Sequence, residues 1–305
     1  MPLTSIVIPV YNEGENIDLL YKEIKNILGS QIEIIWVDDG STDISLQKIS
    51  EMSANDSSVK CISFSRNFGH QAALIAGLHF AGGERIVIMD SDFQHPPQIL
   101  PQFLQKLDQG YDIVSGKRNK TKNIGLIKKY SSRMYYKVIN FLSDTHIEEN
   151  VADFRVFNRR VLNAILQFEE KEIFLRGIFG WIGFKKAFIM YDAPERKYGQ
   201  TKYSSTQMIS LGLRGVISFS FKPLRVALLV GSVISFVSFI LAVNAVIAYF
   251  NHNTVPGWTS IIIAIMFFGG IQLLFLGLIG EYITSLFIEV KKRPKYIIKE
   301  TINVA

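Results

Sequence analysis

Asp90-Ser91-Asp92-Phe93-Gln94 follows directly on the apolar run Ile86-Val87-Ile88-Met89. Two carboxylates one residue apart at the end of a buried strand repel each other and lose hydration. A divalent cation relieves both penalties. Mg2+ or Mn2+ takes oxygen ligands and keeps coordination positions open for phosphate oxygens. The competing reading of Asp-x-Asp is a solvated turn, so the surroundings must decide.

Those carboxylates need a frame. Apolar runs at Ser5–Pro9, Glu33–Val37, Val59–Phe64, Arg85–Met89 and Asp112–Ser115 read as strands, and Glu15–Leu28, Ile44–Ser53, His70–Phe80 and Gln98–Gln109 as helices. Strand–helix alternation predicts an α/β fold with a mainly parallel sheet covered on both faces. Ligands in such sheets collect at the carboxyl ends of the strands. Polar clusters fall there: Tyr11-Asn12-Glu13, Asp38-Asp39-Gly40-Ser41, Ser65-Arg66-Asn67 and Asp90-x-Asp92. Four clusters at one edge describe a site. Further along, the pattern turns helical over 123–143. A second polar region follows in Asp153-Phe154-Arg155, Arg176-Gly177 and Arg196-x-x-Gly199-x-Thr201-Lys202.

The 305 residues carry 33 Lys and Arg against 27 Asp and Glu, a formal charge of +6. That excess suits nucleotides, lipid phosphates or an anionic membrane surface. A nucleic-acid partner is not expected. The apolar residues concentrate near the C-terminus, in segments from Leu224 to Tyr249 and from Thr259 to Phe287. Each exceeds the ~20 residues that cross a bilayer. With the turn-rich connector Asn251–Trp258 they read as a transmembrane hairpin, against the alternative of two buried core helices. Lys222 and Arg225 precede the first span, Lys291, Lys292, Arg293 and Lys295 follow the second, and the connector has no Lys or Arg. Both termini are therefore expected in the cytoplasm, on a bacterial inner or plasma membrane. Ser5–Val10 is too short for a signal-peptide core. The single Cys61 excludes an intrachain disulfide and fits a reducing compartment, as a core residue rather than a reactive one. The expected organisation is a catalytic domain over 1–202, an interface segment over 203–221, the hairpin over 222–290 and a basic tail over 291–305. The 203–221 segment reads either as an amphipathic helix at the membrane surface or as packing against the sheet.

Together, Ile8-Pro9-Val10-Tyr11-Asn12-Glu13, Val37-Asp38-Asp39-Gly40-Ser41-Thr42-Asp43, Ser65-Arg66-Asn67-Phe68-Gly69-His70, Asp90–Pro97 and Asp153-Phe154-Arg155 resemble family 2 glycosyltransferases of the GT-A (Rossmann-like) fold. The resemblance is strongest to membrane-anchored polyisoprenyl-phosphate glycosyltransferases, the bactoprenol glucosyltransferase and dolichol-phosphate mannose synthase group. It covers nearly the whole chain, including both spans. His95 stands where relatives often carry Asp or Asn, and reads either as part of a metal shell or as a polar cap on the turn before Pro96-Pro97.

The resemblance implies the site. Asp92 and Gln94 are the implied metal ligands, with Asp90 a ligand directly or through water. Gln94 alternatively reads as an ordinary residue at a helix start. Asp39 is implied to bind the nucleobase, with Pro9, Tyr11, Glu13, Arg66, Asp90 and Ser91 completing the nucleotide-sugar pocket. Asp38 reads equally as a turn or cap residue, and Arg66 as a surface ion pair. Arg118, Arg133, Arg196 and Lys202 are implied to hold the lipid phosphate or donor diphosphate, against a snorkelling role at the lipid surface. Asp153 matches the base position of inverting members. Because a phosphate acceptor is already anionic, Asp153 reads also as an orienting group or as half of an Asp153–Arg155 pair.

The implied reaction is inverting transfer of glucose from UDP-glucose to a polyprenyl phosphate such as undecaprenyl phosphate, giving a β-linked product. GDP-mannose, UDP-N-acetylglucosamine and UDP-formamido-arabinose are alternative donors. A processive polysaccharide synthase is disfavoured because the chain has no Gln-x-x-Arg-Trp sequence. A catalytically silent partner of a flippase or second transferase is the reading from a different class. Family members form oligomers, and Gly269, Gly270 and Gly277 allow close helix packing, so a homo-oligomer is expected.

Overall fold

β1 (Thr4–Val10) and β2 (Ile32–Asp38) are buried along their whole length, which explains why their sequences lack polar alternation. The structure is a computed structural model that describes residues 3–119, 151–171, 173–192, 194, 220–250 and 257–304. These form two compact units: the described residues up to 194 together with 293–304, and the described residues over 220–292.

The first unit is built on an eight-stranded sheet in the order β7-β5-β6-β4-β1-β2-β3-β8. The remaining strands are β3 (Val59–Phe64), β4 (Arg85–Ile88), β5 (Ile113–Arg118), β6 (Val151–Asn158), β7 (Lys186–Tyr191) and β8 (Ile298–Ile302). Strands β1 to β4 run parallel, as do β5 and β7, while β6 and β8 pair antiparallel with their neighbours. The mainly parallel α/β expectation therefore holds. β6 runs antiparallel between β4 and β5, so its first residues reach the edge where its neighbours end. That orientation places Asp153 beside the strand-end motifs.

Helices α1 (Gly14–Leu28), α2 (Ser45–Asn55) and α4 (Leu100–Asp108) send Ile17, Leu20, Ile24, Ile49, Leu100, Phe103 and Leu107 into one core with Ile6, Ile8, Trp36, Phe154 and Val156. α3 (His70–His79) contacts β1 and β2, and its Gly77 lies so close that a Cβ there would stand 2.3 Å from Val7 Cγ1. The expected helix over Gln98–Gln109 instead begins with a 3-10 turn at Pro97–Ile99, and α4 starts at Leu100. Pro101 tolerates only the first turn of a helix, which sets that boundary. Short helices α5 (Arg159–Ile165) and α6 (Leu175–Trp181) follow β6. Cys61 is a core residue, fully buried, with burial pushing its thiol up to about 12.

The second unit holds α7 (Lys222–Phe250) and α8 (Trp258–Val290), of 29 and 33 residues. At 1.5 Å per residue these exceed the ~30 Å hydrocarbon layer. Leu228, Met266 and Leu274 are 72%, 73% and 73% exposed, an arrangement stable in lipid and costly in water. The expected spans are thus long, apolar and outward-facing, consistent with a hairpin in a membrane. Most of the 203–221 segment lies outside the described residues. The expectation of a plain basic tail over 291–305 is corrected. Ile298–Ile302 is an edge strand of the catalytic sheet, where Ile302 pairs with Cys61 and packs on the core.

Candidate active site

The β1–β4 ladder ends at Val7 and Ile88, two residues before Pro9. Proline has no N–H to donate. β1 stays paired with β2 through Val10 and Asp38 after its pairing with β4 has ended, and it is at this carboxyl edge that doubly wound folds form their ligand crevice.

One wall joins the loops after β1 and β2. The Asn12 amide donates to Ser41 Oγ at 3.0 Å and the Thr42 amide to Asn12 Oδ1 at 2.8 Å, while Gly14 donates to Asp43 Oδ2 at 3.1 Å. Glu13 Oε2 accepts from Asn16 Nδ2 at 2.8 Å. Asp38 is fully buried and accepts from the Ser41 amide and Ser63 Oγ, both 3.2 Å away, so it is a turn organiser. Asp39 instead reaches across to the loop after β3, accepting from the amides of Phe68 at 2.7 Å and Gly69 at 2.9 Å. Burial pushes its carboxyl up, and those two amides only partly offset the effect. Gly40 lies in the left-handed region at φ +70, with a built Cβ only 2.5 Å from the Arg66 carbonyl carbon. Gly40→Ala therefore meets both backbone strain and a clash with main chain. It is expected to cost about 1–2 kcal/mol, and an unchanged melting temperature would refute this.

The opposite wall carries the acidic motif. Asp90 Oδ1 lies 2.8 Å from His70 Nε2, and its amide donates to His95 Nδ1 at 2.9 Å. That amide makes Nδ1 an acceptor and leaves the neutral ring's proton on Nε2, which lies 3.6 Å from Asp90 Oδ2. His95 is fully buried and stacks on Phe154 at 4.9 Å, so of the two readings the structure gives the turn cap. Burial pushes the Asp90 carboxyl up, but His95, His70 and Arg176 together hold it well below the usual range. Ser91 is buried, and Asp92 is 8% exposed and accepts from the Gln94 amide at 3.1 Å. This cap fixes a turn in which Phe93 has φ 61.

Gln94 Oε1 accepts from Arg118 Nη2 at 3.1 Å, and Arg118 Nε donates to Tyr191 Oη at 3.3 Å. Arg118 therefore stands on the acidic motif. Among the described residues, no group of three or more His, Cys, Asp or Glu side chains is arranged for a metal. Two carboxylates one residue apart at the carboxyl edge of the sheet still suit a hard cation whose other ligands would be diphosphate oxygens and waters. Gln94 would have to release Arg118 to join them.

Asp153 is 8% exposed and is gripped by Arg176. Nε donates to Oδ1 at 3.0 Å and Nη2 to Oδ2 at 2.8 Å. Burial pushes the Asp153 carboxyl up, but the Arg176 charge and hydrogen bonds outweigh that and hold it at about 2. Of the alternative readings of Asp153, a structural pair with Arg155 gives way to Arg176 as the main partner; the Arg155 charge adds to the depression, and its guanidinium lies 4.3 Å from the Phe179 ring centre. Against an ordinary value of 3.8, this depression stabilises the fold fully above about pH 4 and is lost as pH falls through about 2. The melting temperature of the wild type is expected to fall more steeply than that of Asp153→Asn between about pH 4 and pH 2. Parallel curves would contradict that.

The structure thus brings Pro9, Tyr11, Glu13, Asp39, Arg66, Asp90, Ser91, Asp92, Gln94, Arg118 and Asp153 to the carboxyl edge of one sheet. Arg133, Arg196 and Lys202 lie outside the described residues. His70, Arg176 and Tyr191 join the site with no role expected from their sequence positions. His70 opens α3 in a quoted motif, and Arg176 was the one cation in an otherwise apolar helix, so both left faint signals.

Glycosyl transferase family 2 matches residues 5–166, and the GtrB C-terminal hairpin matches residues 222–286. The CsbB protein of Bacillus subtilis (strain 168) is 43% identical over 303 residues, 98% of this chain and 92% of its own. The prophage bactoprenol glucosyl transferase homolog of Escherichia coli (strain K12) is 38% identical over 97% of this chain and 98% of its own. The bactoprenol glucosyl transferase of Shigella phage SfII is 37% identical, covering 97% of each chain. A solved mycobacterial protein shares the fold, with a TM-score of 0.50, 17% identity, and coverage of 71% of this chain and 73% of its own. With strand-end carboxylates at one sheet edge, relatives alike over nearly their whole length and a match covering strands β1 to β6 that carry those residues, the chain belongs to glycosyl transferase family 2 and has its GT-A fold.

Proposed function

We propose that the chain transfers a sugar from a nucleotide sugar to a polyprenyl phosphate, inverting the anomeric centre. The observation that carries this reading is the pairing, in one chain, of the acidic crevice at the sheet edge with an outward-facing apolar hairpin. Relatives named bactoprenol glucosyl transferase share both parts, which supports undecaprenyl phosphate as acceptor and glucose, carried by UDP, as the sugar.

In this reading Asp39 and the loop it holds receive the nucleobase, with Pro9, Tyr11, Glu13, Ser91 and Arg66 around the nucleotide. Asp90 and Asp92 would hold Mg2+ or Mn2+, with Gln94 joining them on release of Arg118. When bound, the cation acts as a Lewis acid for charge that develops on the leaving diphosphate. Arg118 supplies a guanidinium at the same end of the site, suited to phosphate oxygens. An anionic lipid phosphate needs no strong base. A carboxylate held at about 2 by Arg176 is a poor one, so Asp153 is assigned to orienting the acceptor or the sugar. Positioning and charge screening supply the rate. Back-side attack on an α-linked donor gives a β-linked product. Arg133, Arg196 and Lys202 are proposed as further phosphate contacts. The basic flanks Lys222, Arg225, Lys291, Lys292 and Arg293 support cytoplasmic termini, and open space beside Gly269, Gly270 and Gly277 leaves room for a second copy.

The test is direct. Purified protein is incubated with undecaprenyl phosphate, a panel of labelled nucleotide sugars and Mg2+ or Mn2+, and the glycolipid is identified with its anomeric configuration. A β-linked monosaccharide phosphate lipid is expected. Nucleotide binding without transfer from any donor would favour the silent-partner reading, and an α-linked product would overturn inversion.

A further inference from the structure

The chain leaves α8 at Val290 and enters the catalytic sheet again at Ile298, pairing antiparallel with β3. Without β8, β3 would be a bare edge, with unpaired backbone groups beside the donor half of the crevice. The tail is anchored at several points. Lys295 Nζ donates to the Phe168 carbonyl at 3.1 Å, and the Ser65 amide donates to the Ile297 carbonyl at 3.0 Å. At the far end, Asn303 Nδ2 donates to the carbonyls of Ser53 at 2.5 Å and Val59 at 2.9 Å.

The informative contact is Tyr296. Its ring stacks on Phe64 with centroids 5.0 Å apart and planes 10° from parallel. Phe64 in turn meets Phe68 edge-on at 5.7 Å, and the Arg66 guanidinium lies 4.0 Å from the Phe68 ring centre. This loop bridges both halves of the donor site. The Phe68 and Gly69 amides bind Asp39, and His70, the next residue, binds Asp90. We propose that Tyr296 and strand β8 are positioning elements for the Ser65–His70 loop, so that the segment following the second apolar helix sets the affinity for the nucleotide sugar. Tyr296 touches no reacting group. It acts by holding Phe64, and through Phe64 the loop whose amides orient Asp39. The inference rests on the reading of this crevice as the nucleotide-sugar site.

The experiment uses the full chain in detergent or vesicles and compares Tyr296→Ala, Tyr296→Leu and Tyr296→Phe with wild type. An aromatic pair is worth enough to predict a roughly 2- to 10-fold rise in donor KM for Tyr296→Ala. The kcat and the acceptor KM should stay within about twofold, and Tyr296→Phe should restore the donor KM. Amide hydrogen exchange should quicken at Phe68 and Gly69 in Tyr296→Ala. Tyr296→Leu keeps apolar cover without stacking and serves if the alanine variant does not fold; it should show the same direction. Unchanged donor KM and exchange, or equal losses in donor KM, acceptor KM and kcat, would overturn the inference. If wild type transfers no sugar from any donor, the reading of the site fails instead. The exchange rates at Phe68 and Gly69 then still decide whether the tail holds the loop.

Discussion

Asp92→Asn is expected to abolish most sugar transfer while leaving the fold intact. The carboxylate has two jobs that the substitution separates. As a cap, Oδ1 accepts from the Gln94 amide and holds the turn with Phe93 at φ 61, and an asparagine carbonyl oxygen can do the same. As a charge beside Asp90, it draws the cation to the diphosphate, and a neutral amide cannot replace it. A fall in turnover on the order of 10²–10³ is expected, typical of losing one preorganised electrostatic group. The melting temperature should barely move. Undiminished turnover would remove Asp92 from the metal assignment.

Arg176→Met is expected to damage both stability and rate. It strips the guanidinium from an almost fully buried carboxylate and leaves Asp153 charged without its main partner. Breaking a fully buried pair costs ~3–5 kcal/mol. Here the Arg176 side chain is 38% exposed, so solvent screens part of the interaction. About 2 kcal/mol is the reasonable expectation. Adding Asp153→Asn to Arg176→Met should recover part of the lost stability by removing the stranded charge, whereas turnover should stay low if Asp153 orients a substrate. Recovery of turnover in the double variant would deny Asp153 that role.

Much of the fold was legible because its signals are local. Strands β1 to β4 and helices α1 to α3 carry unbroken apolar runs or clear periodicity, and the strand-end motifs follow them directly. The two long apolar helices announce themselves by length. β6 was hidden because Asp153 and Arg155 interrupt its apolar run, although both are buried in the fold. β8, Ile-Lys-Glu-Thr-Ile, reads as a charged tail, and its central residues are indeed exposed. Such charges are what an edge strand carries to discourage further pairing. Its identity as a strand depends on β3, more than 230 residues earlier in the chain, and no local pattern encodes that partner.

The sequence alone determined the chemical inventory: paired carboxylates at a strand end, a parallel sheet to hold them and an apolar hairpin to bring the chain to a membrane. These follow from residue type, period and length, which act over a few neighbouring positions. Only the tertiary structure decided which charges meet. Arg155 lies on the same strand face as Asp153, yet the two-point grip on the Asp153 carboxylate comes from Arg176, a residue of another element that only the fold brings there. His70 binds Asp90 from the start of α3, and the Tyr296 ring stacks on Phe64 from the far end of the chain. Hydrogen bonds and ring contacts act over a few ångströms, so their partners are chosen by strand order and register.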